Sequence, residues 1–344
     1  MATGDEHGAA TGETARLSNR LPGFLEKPWE EYPQVVLRGT PWIRKSRLAA
    51  TALQEMPARP SDEQEALIAD IYDSIRGGGC HSKYTEPHRL QDVDRQLAKV
   101  LAARGSGQAI RIHDMAASNA ITSLEMFEYL RDRHPVSVRA TDYYDRLHVV
   151  AVRDRWRVAF DAEFRPVQYI GPSLMVCARR PEPRARPVDT IIKPALQSAL
   201  LPPALAVLAR SLDGSSGQRP APDDQCRQMT LFHPRCAHLA GTDKRFSLGR
   251  DDIFSPTPDR YDVVRVANAL STDFMSEARV LDGVRAVSTT LVDGGLLVLA
   301  RNARCGDGPA CGTIFARRHD RLIPVADVSD GYRHREAVLQ FALL

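Results

Sequence analysis

Several features that would classify a protein quickly are missing from this sequence. No run of about eighteen apolar residues occurs, which excludes a predicted membrane-spanning helix. Residues 1–20 carry acidic side chains and no apolar stretch, so we expect no secretory signal. The six cysteines are scattered along 344 residues, which predicts reduced thiols and a cytoplasmic location.

Common functional signatures are missing as well. The sequence has no Gly-x-Gly-x-x-Gly fingerprint, which disfavours a nicotinamide-binding Rossmann protein. It has no Gly-x-Ser-x-Gly or Ser-His-Asp signature and no internal repeat. Lys and Arg number 46 against 43 Asp and Glu, and the resulting net charge of +3 is too balanced for binding through bulk charge to nucleic acid. We therefore expect no nucleic-acid partner.

The composition that is present is that of an ordinary globular protein. Hydrophobic residues make up 43% of the chain and charged residues 26%, which is enough to build a core and excludes global disorder. At about 150 residues per domain, the length predicts one large or two small domains.

The N-terminal part of the chain is predicted to be helical after a flexible tail. Residues 1–20 are predicted to form the tail and residues 21–105 the helical region. One helix begins after Ser61, whose spacing to Gln64 is typical of a capping box, and ends at the glycines 77–79. A second helix runs from about Pro87 to Gly105.

Residues 106–145 and 244–344 alternate between strand and helix patterns. The predicted strands lie at 109–114, 136–142, 261–266 and 296–300, and the predicted helices at 123–133 and 277–291. Thr122 and Glu125 have the spacing of a second capping box. This order predicts an α/β domain with a doubly wound parallel sheet and right-handed crossovers.

Residues 146–243 interrupt that alternation as a large insertion after the second strand. They contain four short strand patterns between 147 and 178, an Arg- and Pro-rich patch at 179–187, an apolar stretch at 191–208 and a linker-like segment at 213–224. Prolines at 194, 202 and 203 are expected to interrupt any helix in the apolar stretch. We expect the insertion to form a lid that shapes a substrate pocket; the alternatives are packing on a remote face or a homodimer contact.

The most informative segment is the predicted strand at 109–114 and the loop of small residues that follows it. Small side chains let a ligand approach the backbone closely, and the exposed amides of the next helix favour a negative group. Asp142 lies 28 residues after Asp114, at the end of the next strand, where a carboxylate is placed to accept hydrogen bonds from ribose hydroxyls. The strand that ends at Asn268 would reach the same crevice.

These residues resemble class I S-adenosylmethionine-dependent methyltransferases. The first motif of that family has an acidic residue followed by small residues at alternate positions, and here it reads Asp114, Ala116, Ser118, Ala120. The phrase MAASNAITSLE is most similar to the corresponding loop of chemotaxis-receptor glutamate methyltransferases. Alanine and serine resist positive φ angles, which bears on whether the loop keeps the geometry of the family's glycines.

Three further segments carry the same resemblance. Asp142 matches the ribose-binding acid of the family, and the segment 252–254 lies where the family contacts adenine. Asn268 matches the Asn that follows the fourth strand, although Ala267 stands where the chemotaxis-receptor enzymes have an Arg. The Gly pair at 294–295 matches the one that introduces the fifth strand.

The resemblance implies a Rossmann-like, seven-stranded methyltransferase sheet with an N-terminal helical extension, and S-adenosyl-L-methionine as cofactor. We expect no metal. The expected reaction is O- or N-methylation, in which a methyl group is transferred to a small-molecule or protein acceptor. The cofactor-binding residues that it implies are Asp114, Ala116, Ala117, Ser118, Asn119, Asp142, Tyr143, Asp252, Ile253, Asn268 and Ala269.

The residues leave the catalytic group and one alternative function open. Candidates for a general base near the predicted crevice are His113, Tyr143, His148 and His233. Cys226, His233, Cys236 and His238 could supply metal ligands, but their spacing matches no common zinc site. The alternative to an enzyme is a catalytically silent binding or regulatory module with the same fold.

Overall fold

The computed structural model describes residues 50–75, 83–105, 108–153, 156–171, 175–178, 191–213, 225–302 and 309–340. The predicted tail at 1–20, the glycines at 77–79, the Arg- and Pro-rich patch and most of the linker-like segment lie outside these residues. Within them the protein is a mixed α/β structure.

The helices and strands alternate in part, as the sequence predicts. A short 3₁₀ helix covers Ala50–Glu55, and the α-helices are α1 (Asp62–Ser74), α2 (Gln91–Ala103), α3 (Ile121–Arg131), α4 (Lys193–Asp213), α5 (Pro234–Thr242), α6 (Glu277–Ser288) and α7 (Arg335–Leu339). The strands are β1 (Ile110–Met115), β2 (Val136–Thr141), β3 (Arg146–Arg153), β4 (Trp156–Asp161), β5 (Pro166–Ile170), β6 (Met175–Cys177), β7 (Cys226–Thr230), β8 (Phe246–Gly249), β9 (Tyr261–Ala267), β10 (Leu291–Arg301), β11 (Cys311–Arg318) and β12 (Arg321–Val328).

The described chain divides into two compact units. The first unit combines the described part of the chain up to Tyr84 with Arg146–Leu231, and the second combines Thr85–Asp145 with the described part of Phe232–Leu344. The two helices that the sequence analysis groups within 21–105 therefore lie in different units, α1 in the first and α2 in the second.

The first unit is a five-stranded antiparallel sheet covered by helices on both faces. Its strand order is β6-β5-β4-β3-β7. Leu147 and Val149 of β3 pack in one core with α1 and the 3₁₀ helix, whereas Val150 packs in the other core with α4. This alternation is the period-two pattern of a strand buried on both faces.

Helix α4 corrects the expectation that prolines interrupt the apolar stretch. The helix continues from Lys193 to Asp213 through Pro202 and Pro203. Each internal proline removes a backbone donor and costs about 3 kcal/mol, but Leu200, Ala204 and Leu208 are buried against the sheet. Tertiary packing of this face outweighs the intrinsic propensity. In the described part of the chain, no helix has the length and apolarity needed to cross a bilayer.

The second unit contains the seven-stranded sheet that the sequence analysis predicts. The strands lie in the order β8-β2-β1-β9-β10-β11-β12; the first five are parallel to one another, and β11 is antiparallel to both of its neighbours, β10 and β12. Numbered within this sheet alone, the order is 3-2-1-4-5-6-7. This is the doubly wound arrangement of Rossmann-like folds, with a final antiparallel pair of strands at one edge.

Both faces of the seven-stranded sheet are covered. One core contains Ile112 and Val263 with apolar residues of α2, α3 and α5. The opposite core contains Met115 and Val264 with apolar residues of α6 and α7. Strands buried on both faces explain the continuous apolar runs from which they were predicted.

The two predicted capping boxes have different outcomes. Ser61 and Gln64 form the reciprocal capping box at the start of α1, as predicted. The box at Thr122 and Glu125 is wrong, because α3 already begins at Ile121 and Thr122 is buried in its first turn. The amide of Ile121 donates instead to Asn119 Oδ1 at 3.1 Å.

Candidate functional site

The candidate site lies at the carboxyl ends of β1 and β9. These neighbouring strands lead to opposite halves of the sheet, since β1 is followed by β2 on one side and β9 by β10 on the other. Doubly wound sheets bind ligands in the crevice at such a switch point. The loop 116–120 follows β1, and Asn268 follows β9.

The loop 116–120 has an unusual backbone. Ala116, Ser118 and Ala120 have φ angles of 55°, 58° and 64°, in the left-handed region that is unfavourable by roughly 1–2 kcal/mol for a residue with a Cβ. Left-handed residues at alternate positions turn successive amides toward one side, as in an anion-binding nest. The three positions that the sequence analysis aligns with family glycines therefore have a glycine-like conformation without glycine.

Backbone and side-chain hydrogen bonds hold this strained loop. The amide of Ala117 donates to the Thr141 carbonyl at 2.9 Å, and the carbonyl of Asn119 accepts from the His233 amide at 2.8 Å. The Sγ of Cys236 donates to the Ala120 carbonyl at 3.2 Å. Strain of this kind persists where the surrounding structure over-determines the conformation, and it clusters at ligand sites.

Asp142 joins the end of β2 to the loop. Its Oδ2 accepts from the Ser118 amide at 2.7 Å and its Oδ1 from the Tyr144 amide at 2.9 Å. The residue is 8% exposed. These bonds tie the carboxyl end of β2 to the loop.

Asp114 differs from the other predicted cofactor residues because its carboxylate is buried and paired. It is 2% exposed. Its Oδ1 accepts from Arg265 Nε at 2.9 Å and its Oδ2 from Arg265 Nη2 at 2.6 Å. The hydroxyl of Ser123 also donates to Asp114 Oδ2.

Arg265 is the centre of a buried ionic cluster. It is 0% exposed, and its Nη1 donates to Asp94 Oδ1 at 2.7 Å. Burial opposes the charged guanidinium, but Asp114 and Asp94 together hold the pKa of Arg265 above its ordinary value. Burial also raises the pKa of Asp94 to about 7, against the opposing effect of Arg265.

The loop that contains Asp252 and Ile253 is well supported. Asp252 Oδ1 accepts from the Phe254 amide at 2.9 Å, and Asp251 Oδ2 accepts from the Thr257 hydroxyl at 3.0 Å. The guanidinium of Arg279 lies over the Phe254 ring, 3.5 Å from its centroid. Ile253 packs against the core on the α6 face.

Asn268 is a further residue with a left-handed backbone, with a φ of 63°. Its amide donates to the Ala300 carbonyl at 2.8 Å, and its Oδ1 accepts from the Asn302 amide at 2.7 Å. These bonds tie the carboxyl end of β9 to that of β10. Ala269 packs partly against the α6-side core.

The four candidate bases have different surroundings. His113 is 0% exposed, its Nε2 lies 2.8 Å from Thr141 Oγ1, and burial lowers its pKa to about 4. His233 is buried at the start of α5, next to the loop.

Tyr143 lies in the second unit, with Arg250 over its ring at 4.6 Å. His148 is buried in β3 of the first unit, 5.1 Å from the Phe164 ring.

The proposed metal ligands do not form a described site. Cys226 belongs to β7 of the first unit, whereas His233, Cys236 and His238 belong to the second. Among the residues the structure describes, no group of three His, Cys, Asp or Glu side chains is arranged to hold a metal ion.

Three residues of this site were not predicted from the sequence: Arg265, Asp94 and Ser123. The available signal was Arg265 itself, a cation inside the otherwise apolar strand Tyr261–Ala267. A buried cation requires a buried acid, but the pairing of Arg265 with Asp114 and Asp94 spans 151 and 171 positions of the chain.

Solved structures with a low similarity to this chain include methyltransferases. An amino pentose methyltransferase from Micromonospora echinaspora with S-adenosylmethionine bound is 16% identical, with a TM-score of 0.27, and the match covers 67% of this chain and 59% of that one. An O-methyltransferase family 2 protein from Planctomyces limnophilus, in complex with apigenin, is 12% identical, with a TM-score of 0.25 and coverages of 61% and 43%.

These likenesses carry no argument about function. The matches cover 33–59% of the length of these solved structures, and TM-scores this low do not establish a common fold. No protein-family model and no curated protein matches the sequence.

Proposed function

We propose that this protein is an S-adenosylmethionine-dependent methyltransferase. The observation that carries the proposal is the loop 116–120, whose three alternate left-handed residues follow β1 at the switch point of a doubly wound sheet. Asp142 at the end of β2 is bonded directly to this loop. A strained loop of small residues joined to a strand-end acid is suited to a ligand with a carboxylate and a ribose.

The predicted binding residues fit the parts of this cofactor. The loop residues Ala116, Ala117, Ser118 and Asn119 would lie against the methionine part, and Asp142 would accept from the ribose hydroxyls. Asp252 and Ile253, together with Tyr143, would lie against the adenine, and Asn268 and Ala269 near the sulfonium. The bound cofactor would supply the activated methyl group.

The chain's own contribution to such a reaction is positioning and exclusion of water. The loop 116–120 and Asp142 orient one reactant, and hydrogen bonds already formed within the protein keep them in place. His113 has no exposed surface and a lowered pKa, so we assign it a structural role. We assign no general base, since an acceptor that is already a carboxylate or a neutral amine needs none.

The finer expectations remain predictions. They are the likeness to chemotaxis-receptor methyltransferases, the small-molecule or protein nature of the acceptor, the cytoplasmic location, the homodimer, and the role of residues 146–243 in shaping the acceptor pocket.

The cofactor assignment is tested by isothermal titration of S-adenosylmethionine and S-adenosylhomocysteine into the full chain. The variant Asp142→Ala should lose about 2–3 kcal/mol of binding free energy for both ligands, because it leaves ribose hydroxyls and the Ser118 amide without their acceptor. Asp282→Ala, which removes a half-exposed acid in α6, is the control and should bind normally. Absence of binding to the unaltered protein, or full affinity in a folded Asp142→Ala protein, would overturn the proposal.

Turnover is tested separately from binding. Transfer of labelled methyl from S-adenosylmethionine to molecules in an extract of the source cell is expected. Tight binding without any transfer would favour the silent binding or regulatory module over the enzyme.

A further inference from the structure

The two ends of the strained loop are joined by one side-chain contact. Asp114, two residues before Ala116, accepts a hydrogen bond from the hydroxyl of Ser123, three residues after Ala120. Both residues are almost fully buried, at 2% and 0% exposure. The contact closes the loop at its base, where β1 ends and α3 begins.

The carboxylate in this contact is itself fixed by Arg265. The guanidinium donates to both Asp114 oxygens, through Nε and Nη2. Two parallel bonds between a planar guanidinium and a carboxylate set the orientation of both groups. The rotamer of Asp114, and with it the acceptor for Ser123, is therefore determined by β9.

Asp94 completes the arrangement from α2. Its carboxylate accepts from the remaining terminal nitrogen of Arg265 at 2.7 Å, and it is 3% exposed. Because a buried guanidinium held on both sides cannot move without breaking an ion pair, the four side chains connect α2, β9, β1 and α3 into one rigid support below the loop.

Asp114 lies on the face of the sheet that α2 and α3 cover. Asp114 is two residues from Ile112 along β1 and so lies on the same face of the sheet, where Ile112 packs with α2 and α3. Its two oxygens already accept three hydrogen bonds from Arg265 and Ser123. An acid in this position is suited to bind protein groups below the loop.

We propose that Asp114, Ser123, Arg265 and Asp94 form a clasp that holds the loop 116–120 in its left-handed conformation. In this proposal, which rests on the proposed function, Asp114 is a positioning residue and does not touch the cofactor. It replaces the role that the family resemblance implies for Asp114.

Ser123→Ala tests the clasp with the least disturbance, since it removes one hydroxyl and leaves the Asp114–Arg265 pair intact. S-adenosylhomocysteine affinity, measured by isothermal titration, should fall roughly tenfold because the loop is no longer closed at its base. Ser288→Ala is the matched control: Ser288 is also a fully buried helical serine of the second unit, and its hydroxyl donates to the Val284 carbonyl. The control should lose similar stability and no affinity.

A second pair of measurements separates a clasp from a direct contact. Asp114→Asn is titrated with S-adenosylhomocysteine and with the analogue that lacks its α-amino group. The clasp predicts the same loss of affinity for both ligands, whereas an Asp114 that binds the ammonium group predicts a loss for the first ligand alone, and that result would overturn the proposal. If Asp114→Asn does not fold, Asp94→Asn is titrated in its place. This variant keeps a side-chain acceptor beside Arg265, and the clasp again predicts the same loss of affinity for both ligands.

Failure of the clasp and failure of the proposed function give different results. If the unaltered protein binds neither ligand, the proposed function is wrong and the clasp has no cofactor to position. If the unaltered protein binds S-adenosylhomocysteine and Ser123→Ala binds it equally well, the clasp alone is wrong.

Discussion

Two buried polar networks, one in each unit, are built from different chemical groups. In the first unit, Gln168 is 0% exposed and bonds neutral groups: its Oε1 accepts from the Ala50 amide at 2.9 Å and its Nε2 donates to Ser74 Oγ at 3.0 Å. In the second unit, the buried centre is ionic, with Arg265 between Asp94 and Asp114. A neutral network costs little desolvation, whereas ions removed from water cost several kcal/mol each before pairing.

The difference indicates what each network does. The Gln168 bonds join the 3₁₀ helix and the end of α1 to β5, which is a task of folding alone. The ionic cluster lies below three left-handed residues at a sheet switch point. Buried ions that cost desolvation free energy, next to a strained backbone, are typical of a site that is shaped to bind a ligand.

The largest expected effect concerns the buried ionic cluster of the second unit. Arg265→Met should lower the free energy of unfolding by about 3–5 kcal/mol, because it leaves two buried carboxylates without a counter-charge. Gln168→Met should cost only about 1–3 kcal/mol, the penalty for unpaired neutral groups. Urea denaturation of both variants checks this, and equal losses would contradict the distinction between the two networks.

The next largest expected effect is a pH dependence of stability, which His113 causes as a buried titratable group of the second unit. Burial lowers the pKa of His113 from 6.5 to about 4, with Asp251, Arg139, Asp114 and Asp259 as the charged groups around it. Between these values the unfolded chain binds a proton that the folded chain does not, so His113 lowers stability as pH falls from about 6.5 to 4, by up to about 3 kcal/mol. Replacement by a residue that does not titrate should remove this loss.

The measurement is the free energy of unfolding of the unaltered protein minus that of His113→Gln, at several pH values. The difference isolates His113 from Asp94, whose raised pKa has the opposite effect, since it lowers stability as pH rises from about 4 to 7. A difference that does not change between pH 4 and 6.5 would show that His113 is not held neutral by burial.

The smallest expected effect concerns the strained backbone. Ala116→Gly should stabilise the protein by about 0.5 kcal/mol, since relief of the left-handed strain exceeds the entropy that glycine adds to the unfolded chain. Ala102→Gly, in the exposed part of α2, should destabilise it by about 1 kcal/mol. Thermal unfolding of both variants checks the opposite signs, and a loss of stability in Ala116→Gly would contradict the strain.

Much of the second unit could be predicted from local sequence. The apolar runs of β1, β2, β9 and β10 and the periodic spacing of α6 show where these elements lie, because burial on both faces leaves a continuous pattern. The alternation of strand and helix also predicts the parallel sheet. The loop after β1 and the acid at the end of β2 could be found in the same way.

The remaining features depend on contacts that local patterns do not contain. The helix through Pro202 and Pro203 depends on burial of its apolar side against the sheet of the first unit. The amphipathic spacing of α1 does not say which sheet it packs on. The pairing of Arg265 with Asp94 joins residues far apart in the chain, so neither residue alone predicts the cluster.

Because the loop 116–120 contains alanine and serine instead of glycine, it becomes ordered when the protein folds and not when a ligand binds. A glycine loop is mobile in the free protein and loses its freedom when a ligand binds, which weakens affinity. In this chain, left-handed residues with a Cβ and their hydrogen bonds restrict the loop as the protein folds. The entropy of ordering is then lost during folding, and a ligand meets a loop whose backbone conformation is already fixed.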